Sequence, residues 1–260
     1  MENNILYNII AFFTSPEKAQ WFVTELYNNF ISESRWKWLL NGLVITIRLT
    51  VFAFIFGLIL GLIIAMIRVS HDSRRETNNL SLKGKIGRFV LSIANFICKI
   101  YLNVIQGTPT IVQIMIIYFV ILANSTNKIF VATLGFTINS SAYIAEIIRG
   151  GLNGVDPGQA EAGRSLGFGY LPTMIYIVIP QALKSTLPAL CNELVVLLKE
   201  TSVASMVALQ DLLAAALLIK SRTYSAFFPL IAAALIYLVI VSILRAISFR
   251  LERRLNSSDR

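Results

Sequence analysis

Charged residues are scarce in this sequence, because Asp, Glu, Lys and Arg make up only 14% of its 260 residues. Soluble globular domains carry about 25% charged residues, so the composition argues against a soluble protein. Hydrophobic residues make up 56% of the chain and are gathered into runs long enough to cross a bilayer. The sequence therefore predicts one compact helical domain within a membrane.

Cysteine and histidine are almost absent. Cys98 and Cys191 lie in apolar segments without CxxC or Cys/His spacing, so neither a metal site nor a disulfide framework is expected, and both thiols are predicted to be buried and unreactive. The single histidine, His71, lies in a charged stretch and is expected to be solvated. The sequence also contains no G-x-x-x-x-G-K-[ST] phosphate loop. We therefore expect no catalytic residue, no metal and no cofactor bound by this chain.

The basic residues indicate membrane topology. They give the chain a formal net charge of +9, but they flank apolar runs and form no stripe interleaved with exposed aromatic residues, so nucleic acid binding is not expected. Residues 68–88 carry an excess of Lys and Arg, which places this linker in the cytoplasm by the positive-inside rule. The N-terminus is then expected outside. Residues 1–40 mix Trp with charged residues and are predicted to form an interfacial lead-in segment.

The apolar runs and their flanking charges predict five spans, over residues 49–67, 89–123, 129–148, 185–200 and 227–244. The second span is expected to break at Gly107-Thr108-Pro109, because proline interrupts helical hydrogen bonding. The membrane domain is predicted to cover residues 41–250. Residues 251–260 are predicted to form a cytoplasmic tail.

Residues 165–183 are apolar and long enough to score as a further span. Their glycines and prolines interrupt the run too often for one lipid-facing helix, so we predict a cytoplasmic loop over residues 150–184. The fourth span is then expected to begin near Ser185. Residues 206–222 are predicted to form a re-entrant or external helix.

A motif of small residues lies within the predicted loop. Glu161-Ala162-Gly163 is followed by Gly167, and Ile177-Val178-Ile179-Pro180 closes the pattern. The spacing resembles the Glu-Ala-Ala motif of ABC importer permeases, with Gly163 in place of the second Ala. In that family the motif forms two short helices joined at the glycine, and the resulting coupling helix fits a cleft of the ATPase. The resemblance implies ATPase docking through Ala160, Glu161, Ala162, Gly163, Gly167 and Pro180.

Further segments resemble, in the same order, the permeases for polar and cationic amino acids such as histidine, arginine, glutamine and cystine. They are Gln106-Gly107-Thr108-Pro109 with Gln113, Ala142-Tyr143 with Glu146 and Arg149-Gly150-Gly151, Gly158-Gln159-Ala160-Glu161-Ala162, and Asn192-Glu193 with Lys199-Glu200-Thr201-Ser202. Gln106 stands where the family usually has Arg. The resemblance implies an all-α, type I ABC importer permease with about five transmembrane helices in the plasma membrane of a prokaryotic cell.

The partners are also implied by the resemblance. Two permease subunits, identical or paralogous, would line the pathway, and two ATPase subunits that bind ATP and Mg would dock on the Glu161 loops. An extracytoplasmic binding protein would deliver a polar or cationic amino acid. The chain itself is then not an enzyme.

Polar residues within the predicted spans are candidates for the substrate pathway, namely Gln113, Tyr143, Glu146, Asn192, Glu193 and Thr201. An ionisable group in a span costs about 2.5 to 3.5 kcal/mol on insertion scales and normally faces the bundle interior or a cavity. Glu146 either lines the pathway or pairs with Arg149 one turn away. Asn192 and Glu193 either receive the amino acid or make a contact between helices of the two subunits.

The other polar residues have simpler interpretations. Tyr143 is either a ligand or a packing aromatic. Asp211 and Lys220 are expected to be solvated on the external segment. Gly150 and Gly151 are expected to end the third helix.

An ion-coupled secondary transporter or channel is the alternative function. It predicts paired inverted repeats, or intramembrane carboxylates that act alone. No repeat is evident in the sequence, and five spans do not divide into two equal halves. The permease prediction is therefore preferred.

Overall fold

The computed structural model describes residues 15–73 and 82–256, and within these ranges the regular elements are helical. The expectations for residues 1–14, 74–81 and 257–260 lie outside the described residues. The helices are α1 (Pro16–Leu26), α2 (Trp36–Ser73), α3 (Leu82–Gln106), α4 (Thr110–Ile116), α5 (Lys128–Asn153), α6 (Pro157–Ser165), α7 (Tyr170–Thr173), α8 (Ile179–Glu200), α9 (Leu212–Thr223) and α10 (Phe227–Asn256). Shorter π or 3-10 turns adjoin them at Tyr27–Ile31, Ser32–Ser34, Ile117–Ile121, Met174–Val178 and Thr201–Val207.

Five stretches of the described chain are long and apolar enough to cross a membrane, so the predicted number of spans is confirmed. They are Trp36–Asp72, Lys85–Gln106, Lys128–Asn153, Tyr170–Val207 and Phe227–Arg254. The expected break at Gly107-Thr108-Pro109 is also confirmed, because α3 ends at Gln106 and α4 begins at Thr110.

The helices extend beyond the predicted limits at several ends. The span predicted to begin at residue 49 belongs to α2, which already begins at Trp36 and runs through the exposed Arg48. Much of the predicted linker is helical, since α2 continues to Ser73 and α3 begins at Leu82. Long basic side chains can reach an aqueous boundary from within a helix, so a charge in the sequence did not mark the helix end.

The helical stretch that contains the fourth span begins at Tyr170, whereas the span was predicted to begin near Ser185. Pro172 lies in the first turn of α7, where a backbone N–H has no helical partner to lose. The π turn Met174–Val178 widens the helix ahead of Pro180, whose ring would otherwise clash with a carbonyl of the preceding turn. The prolines are therefore accommodated within one long helical stretch.

The chain divides into two compact units. The first comprises the described residues of Met1–Arg48 together with Ser202–Ile240. Its apolar core joins Leu39 of α2 to Ala215 and Ile219 of α9 and to Ala233 of α10. The second comprises the described residues of Leu49–Thr201 and Val241–Arg260.

Asp211, in the first unit, was predicted to be solvated, and this prediction is wrong. Its side chain is buried and caps α9, accepting hydrogen bonds from the backbone N–H groups of Leu213 and Ala214 at 3.2 and 3.0 Å. Burial raises the pKa of this carboxyl to about 6, although the backbone donors act in the opposite direction. Lys220 is exposed, as expected.

Helix α5 lies at the centre of the second unit. In the most apolar part of this helix 67% of the residues are buried inside the protein, whereas in the corresponding part of the other four spans 17 to 33% are buried. Gly57 and Gly61 of α2 allow α5 to approach closely, because an added Cβ would lie 2.4 Å from Ser140 Oγ and 2.8 Å from Ile144 Cγ2 respectively. Small residues at such crossings are typical of helix packing in membranes.

Gly150 and Gly151 do not end this helix as predicted, since α5 continues to Asn153. Gly151 instead allows contact with α8, because an added Cβ would lie 1.9 Å from Thr186 Cγ2. Packing against a neighbouring helix, rather than local propensity, explains the glycine at position 151.

Of the two cysteines, Cys98 is buried as expected, whereas Cys191 is only half-buried.

The substitution Gly61→Ala tests the crossing of α2 and α5. The added methyl group would also lie 3.0 Å from the Ser141 carbonyl, so it cannot be accommodated by a rotamer change. We expect a loss of about 1 to 3 kcal/mol from overpacking, measured by thermal unfolding in detergent. The control is Gly87→Ala in α3, where nothing lies within 4 Å of the added Cβ. Equal unfolding temperatures for the two variants would contradict the crossing.

Candidate functional site

The predicted docking segment forms two helical pieces joined at a glycine. Asp156 caps α6 by accepting a hydrogen bond from the Gly158 N–H at 2.8 Å, and Pro157 occupies the first helical position. Proline is suited to that position because its missing N–H and fixed φ cost nothing there. These two residues fix where α6 begins.

Gly167 terminates α6 in a left-handed conformation, with φ of +86°. The Gly167 N–H donates to the Arg164 carbonyl at 2.9 Å, and the Phe168 N–H donates to the Gly163 carbonyl at 3.1 Å. This pair of hydrogen bonds is the Schellman motif, which requires a residue that tolerates positive φ after the helix. The bend expected at Gly167 is therefore explained by its backbone conformation.

The second helical piece packs back against α6. Gly163 is buried, and a Cβ at this position would lie 2.8 Å from Ile177 Cδ1 and 3.0 Å from Thr173 Cγ2. The side chains of Gln181 and Gln159 are hydrogen bonded at 3.1 Å across the same contact. Gly163 thus lets α6 lie directly on the turn that leads into α8.

The outer surface of this segment is exposed and partly apolar. Glu161, Ala162 and Pro180 are exposed, and Ala160 is half-buried. Apolar side chains that the sequence analysis did not single out surround them, since Leu166 is 76% exposed and Leu171 is 68% exposed. Exposed apolar surface of this kind marks contact sites for other proteins or for the membrane. The available signal was the pair of leucines that flank Gly167, Gly169 and Pro172 at the start of the apolar run. We call residues 156–180 the docking loop.

The break between α3 and α4 is closed by the Gln113 side chain. Its amide nitrogen donates to the carbonyls of Ile105 and Thr108 at 2.7 and 2.9 Å, and its oxygen accepts from Asn139 of α5 at 3.0 Å. The side chain is buried, and it satisfies the Ile105 carbonyl, whose helical donor is lost because Pro109 has no N–H, as well as the Thr108 carbonyl at the break. In this structure the Gln113 side chain therefore stabilises the break between α3 and α4.

Two carboxylates and a tyrosine lie together between α5 and α8. Glu193 and Glu200 are two helical turns apart on α8, and both carboxylates lie within electrostatic range of Tyr143 of α5. Tyr143 is 37% exposed and the two glutamates are half-buried, so the group is accessible. The sequence analysis named Tyr143 and Glu193 as pathway candidates but not Glu200. Their spacing of seven residues, which places both carboxylates on one helix face, was the available signal.

Glu146 makes the ion pair with Arg149 that was one of its two predicted alternatives, and it has a second cationic partner. One carboxylate oxygen accepts from Arg149 Nη2 at 2.8 Å, and the other accepts from Arg68 of α2. The Arg68 partner was not foreseen, because it lies far away in the sequence.

The last two pathway candidates, Thr201 and Asn192, are sequence neighbours of the two carboxylates. Thr201 is fully buried, and its hydroxyl donates to the Leu198 carbonyl at 2.7 Å. Asn192 is exposed, one residue from Glu193 and therefore about 100° around the helix from it. The residues that the structure groups into one site are Tyr143, Glu193 and Glu200, which we call the carboxylate cluster.

Comparison with known proteins identifies relatives along most of the chain. The family model of binding-protein-dependent transport system inner membrane components matches residues 86–257. The chain is 36% identical to the arginine transport system permease protein ArtQ of Bacillus subtilis (strain 168), over 85% of this chain and 94% of that protein. It is 35% identical to the L-cystine transport system permease protein TcyB of the same organism, over 88% and 91%.

Solved structures give the same result. A crystal structure of an amino acid ABC transporter with histidines superimposes with a TM-score of 0.72 at 36% identity, covering 86% of this chain and 98% of that chain. The MetNI methionine ABC transporter in an inward-facing conformation superimposes with a TM-score of 0.68 at 18% identity and shares the fold. The predicted type I ABC importer fold is therefore confirmed.

The substitution Gln113→Leu tests the support of the helix break. It leaves buried carbonyls without donors, at about 1 to 3 kcal/mol for each unsatisfied group, so the unfolding temperature in detergent should fall. The control is Gln106→Leu, because Gln106 is exposed and donates one hydrogen bond of 3.2 Å to the Ala142 carbonyl. A smaller or equal loss for Gln113→Leu than for the control would show that the break does not depend on this amide.

Proposed function

The chain belongs to the family of binding-protein-dependent transport system inner membrane components, the permease subunits of ABC importers, and on that premise we propose that it translocates cationic amino acids. The observation that carries the substrate class is the carboxylate cluster, formed by Tyr143, Glu193 and Glu200. The docking loop is the observation that supports the second part of the proposal, an ATPase subunit that drives transport.

An ATPase subunit is the proposed occupant of the docking loop. A coupling helix must enter a groove closely, and α6 offers the small side chains of Ala160 and Ala162 beside the exposed Leu166. Glu161 is the fifth of the nine residues of α6 and is exposed, so its carboxylate is available to a partner on the outer surface of the helix. ATP and Mg would bind to that subunit, since this sequence contains no phosphate-binding loop of its own.

The docking loop is proposed to lie in the cytoplasm. With five spans, the loop between the third and fourth lies on the same side as the C-terminal end of the fifth. That end carries Arg250, Arg253 and Arg254, which the positive-inside rule places in the cytoplasm. The N-terminus and the segment that contains α9 are then outside, where an extracytoplasmic binding protein would deliver the amino acid to a pair of permease subunits.

The carboxylate cluster is suited to a cationic side chain. A guanidinium or ammonium group can donate charge-assisted hydrogen bonds to two carboxylates, and the Tyr143 ring can add a cation–π contact. Two acidic groups on one face of α8 also need a compensating cation, which a bound substrate would supply. Lys199, adjacent to Glu200, offsets only part of this charge. The relative from Bacillus subtilis that belongs to an arginine transport system is consistent with this assignment.

Substitution of Gly167 tests the docking loop. A β-branched residue is strained at positive φ, with a cost of about 1 to 2 kcal/mol for an L-residue in the left-handed region, so Gly167→Val should reduce the ATPase that co-purifies with the permease. Nothing lies within 4 Å of an added Cβ, so the strain is in the backbone alone. Gly167→Asn is the matched control, because Asn tolerates this conformation. Equal recovery of the ATPase with the Val and Asn variants would contradict the assignment.

Neutralising the carboxylate cluster tests the substrate class. A charge-assisted hydrogen bond contributes about 1.5 to 3 kcal/mol, so Glu193→Gln and Glu200→Gln should each weaken arginine uptake by roughly ten- to a hundredfold. Uptake is measured in proteoliposomes that contain the permease, the ATPase and the binding protein. Glu252→Gln, near the end of α10, controls for the loss of one negative charge. Unchanged arginine uptake in both cluster variants would remove the cluster from the pathway while leaving the docking loop unaffected.

A further inference from the structure

An ion-pair network lies at the end of α5 that leads into the docking loop. The Glu146 carboxylate accepts hydrogen bonds from Arg68 of α2 through one oxygen and from Arg149 through the other, with Arg149 Nη2 at 2.8 Å and Nε at 3.1 Å. Arg149 lies one turn further along α5 from Glu146, so that pair is internal to one helix. The pair of Arg68 and Glu146 instead joins two helices.

The pair between the helices is shielded from solvent. The Arg68 side chain is 14% exposed and the Glu146 side chain is 31% exposed. In such surroundings a charge-assisted hydrogen bond is strong and directional. Removing Glu146 leaves the Arg68 charge shielded and without this partner, which is costly. The pair therefore holds α2 and α5 in one register.

This pair continues the close contact between α2 and α5. Ile64 of α2 and Ala142 of α5, each one turn before a member of the pair, belong to one apolar cluster with Cys98 and Leu102 of α3. One turn before Ile64, Gly61 lies against Ile144. The two helices thus share a contact that runs through glycine, then through apolar side chains, and ends at Arg68 and Glu146.

The last turns of α5 are held on a second side by α8. Gly151 lies against Thr186, and a Cβ there would also be 3.3 Å from the Ala182 carbonyl. Beyond Asn153 only a short turn separates α5 from Asp156, which caps the first helix of the docking loop. A displacement of the docking loop therefore acts directly on the part of α5 that carries Glu146.

We infer that Arg68 and Glu146 transmit movement of the docking loop to α2 and are positioning residues for the coupling of ATP hydrolysis to transport. Apolar contacts alone are non-directional and would let α5 slide along α2. The charge-assisted pair prevents this, so that α2 and α5 move as one body. Arg149 supports the orientation of Glu146 but makes no link between helices. The inference rests on the proposed docking of an ATPase to the docking loop.

The test is the number of amino acid molecules transported per ATP hydrolysed in proteoliposomes that contain the permease, the ATPase and the binding protein. Glu146→Gln and Arg68→Gln should each lower this ratio by about tenfold, a typical size for coupling between sites. The ATPase should still co-purify with both variants. Because the two residues act as one unit, the double variant should be no worse than either single variant.

Arg149→Gln is the matched control. It removes one arginine from the same carboxylate but leaves the link to α2, so its transport ratio should stay within about twofold of the unmodified chain. An equal loss of ratio in Arg149→Gln and Arg68→Gln would overturn the inference. Parallel losses of uptake and hydrolysis, with an unchanged ratio, would overturn it as well.

Folding and partner binding are separated from coupling by two further measurements. If Glu146→Gln does not accumulate in the membrane, Arg68→Lys is measured instead, because lysine keeps the charge but loses the paired geometry of the guanidinium. A coupling ratio for Arg68→Lys equal to that of the unmodified chain would then overturn the inference. Failure of the unmodified permease to bind any ATPase would instead refute the proposed function, before the variants are compared.

Discussion

The packing of α5 is the constraint on which the rest of the second unit depends. Gly57 and Gly61 bring α2 onto one side of this helix, and Gly151 brings α8 onto another. Helices in lipid gain little from burying apolar side chains, so close backbone approach supplies much of their association. Both candidate sites depend on this arrangement, because α5 carries Tyr143 and continues into the turn before the docking loop.

Backbone hydrogen bonding explains the irregular parts of the fold. The proline at position 109 removes a helical donor at the break between α3 and α4, and the buried amide of Gln113 satisfies two carbonyls there. The π turn before Pro180 and the Schellman motif at Gly167 solve the same problem at the docking loop. Each irregularity lies at a junction where one helical segment ends and the next begins.

Much of this architecture was readable from the sequence. The five apolar runs, the break at Gly107-Thr108-Pro109 and the bend at Gly167 follow from local composition and spacing. The burial of Asp211 and the pairing of Arg68 with Glu146 did not, because both depend on residues distant in the chain. The role of Gly151 was missed for the same reason, since it is set by Thr186 of another helix.

The central claim is that the docking loop binds an ATPase. It is tested most directly by replacing both native cysteines with Ser, introducing Ala162→Cys, and treating the membrane complex with a short bifunctional thiol reagent. Ala162 is exposed, so the new thiol is accessible. The account predicts a cross-linked product with the ATPase subunit from this position, and none from a cysteine placed at the exposed Tyr224. A complex that transports but gives no product from position 162, or gives equal product from position 224, would contradict it.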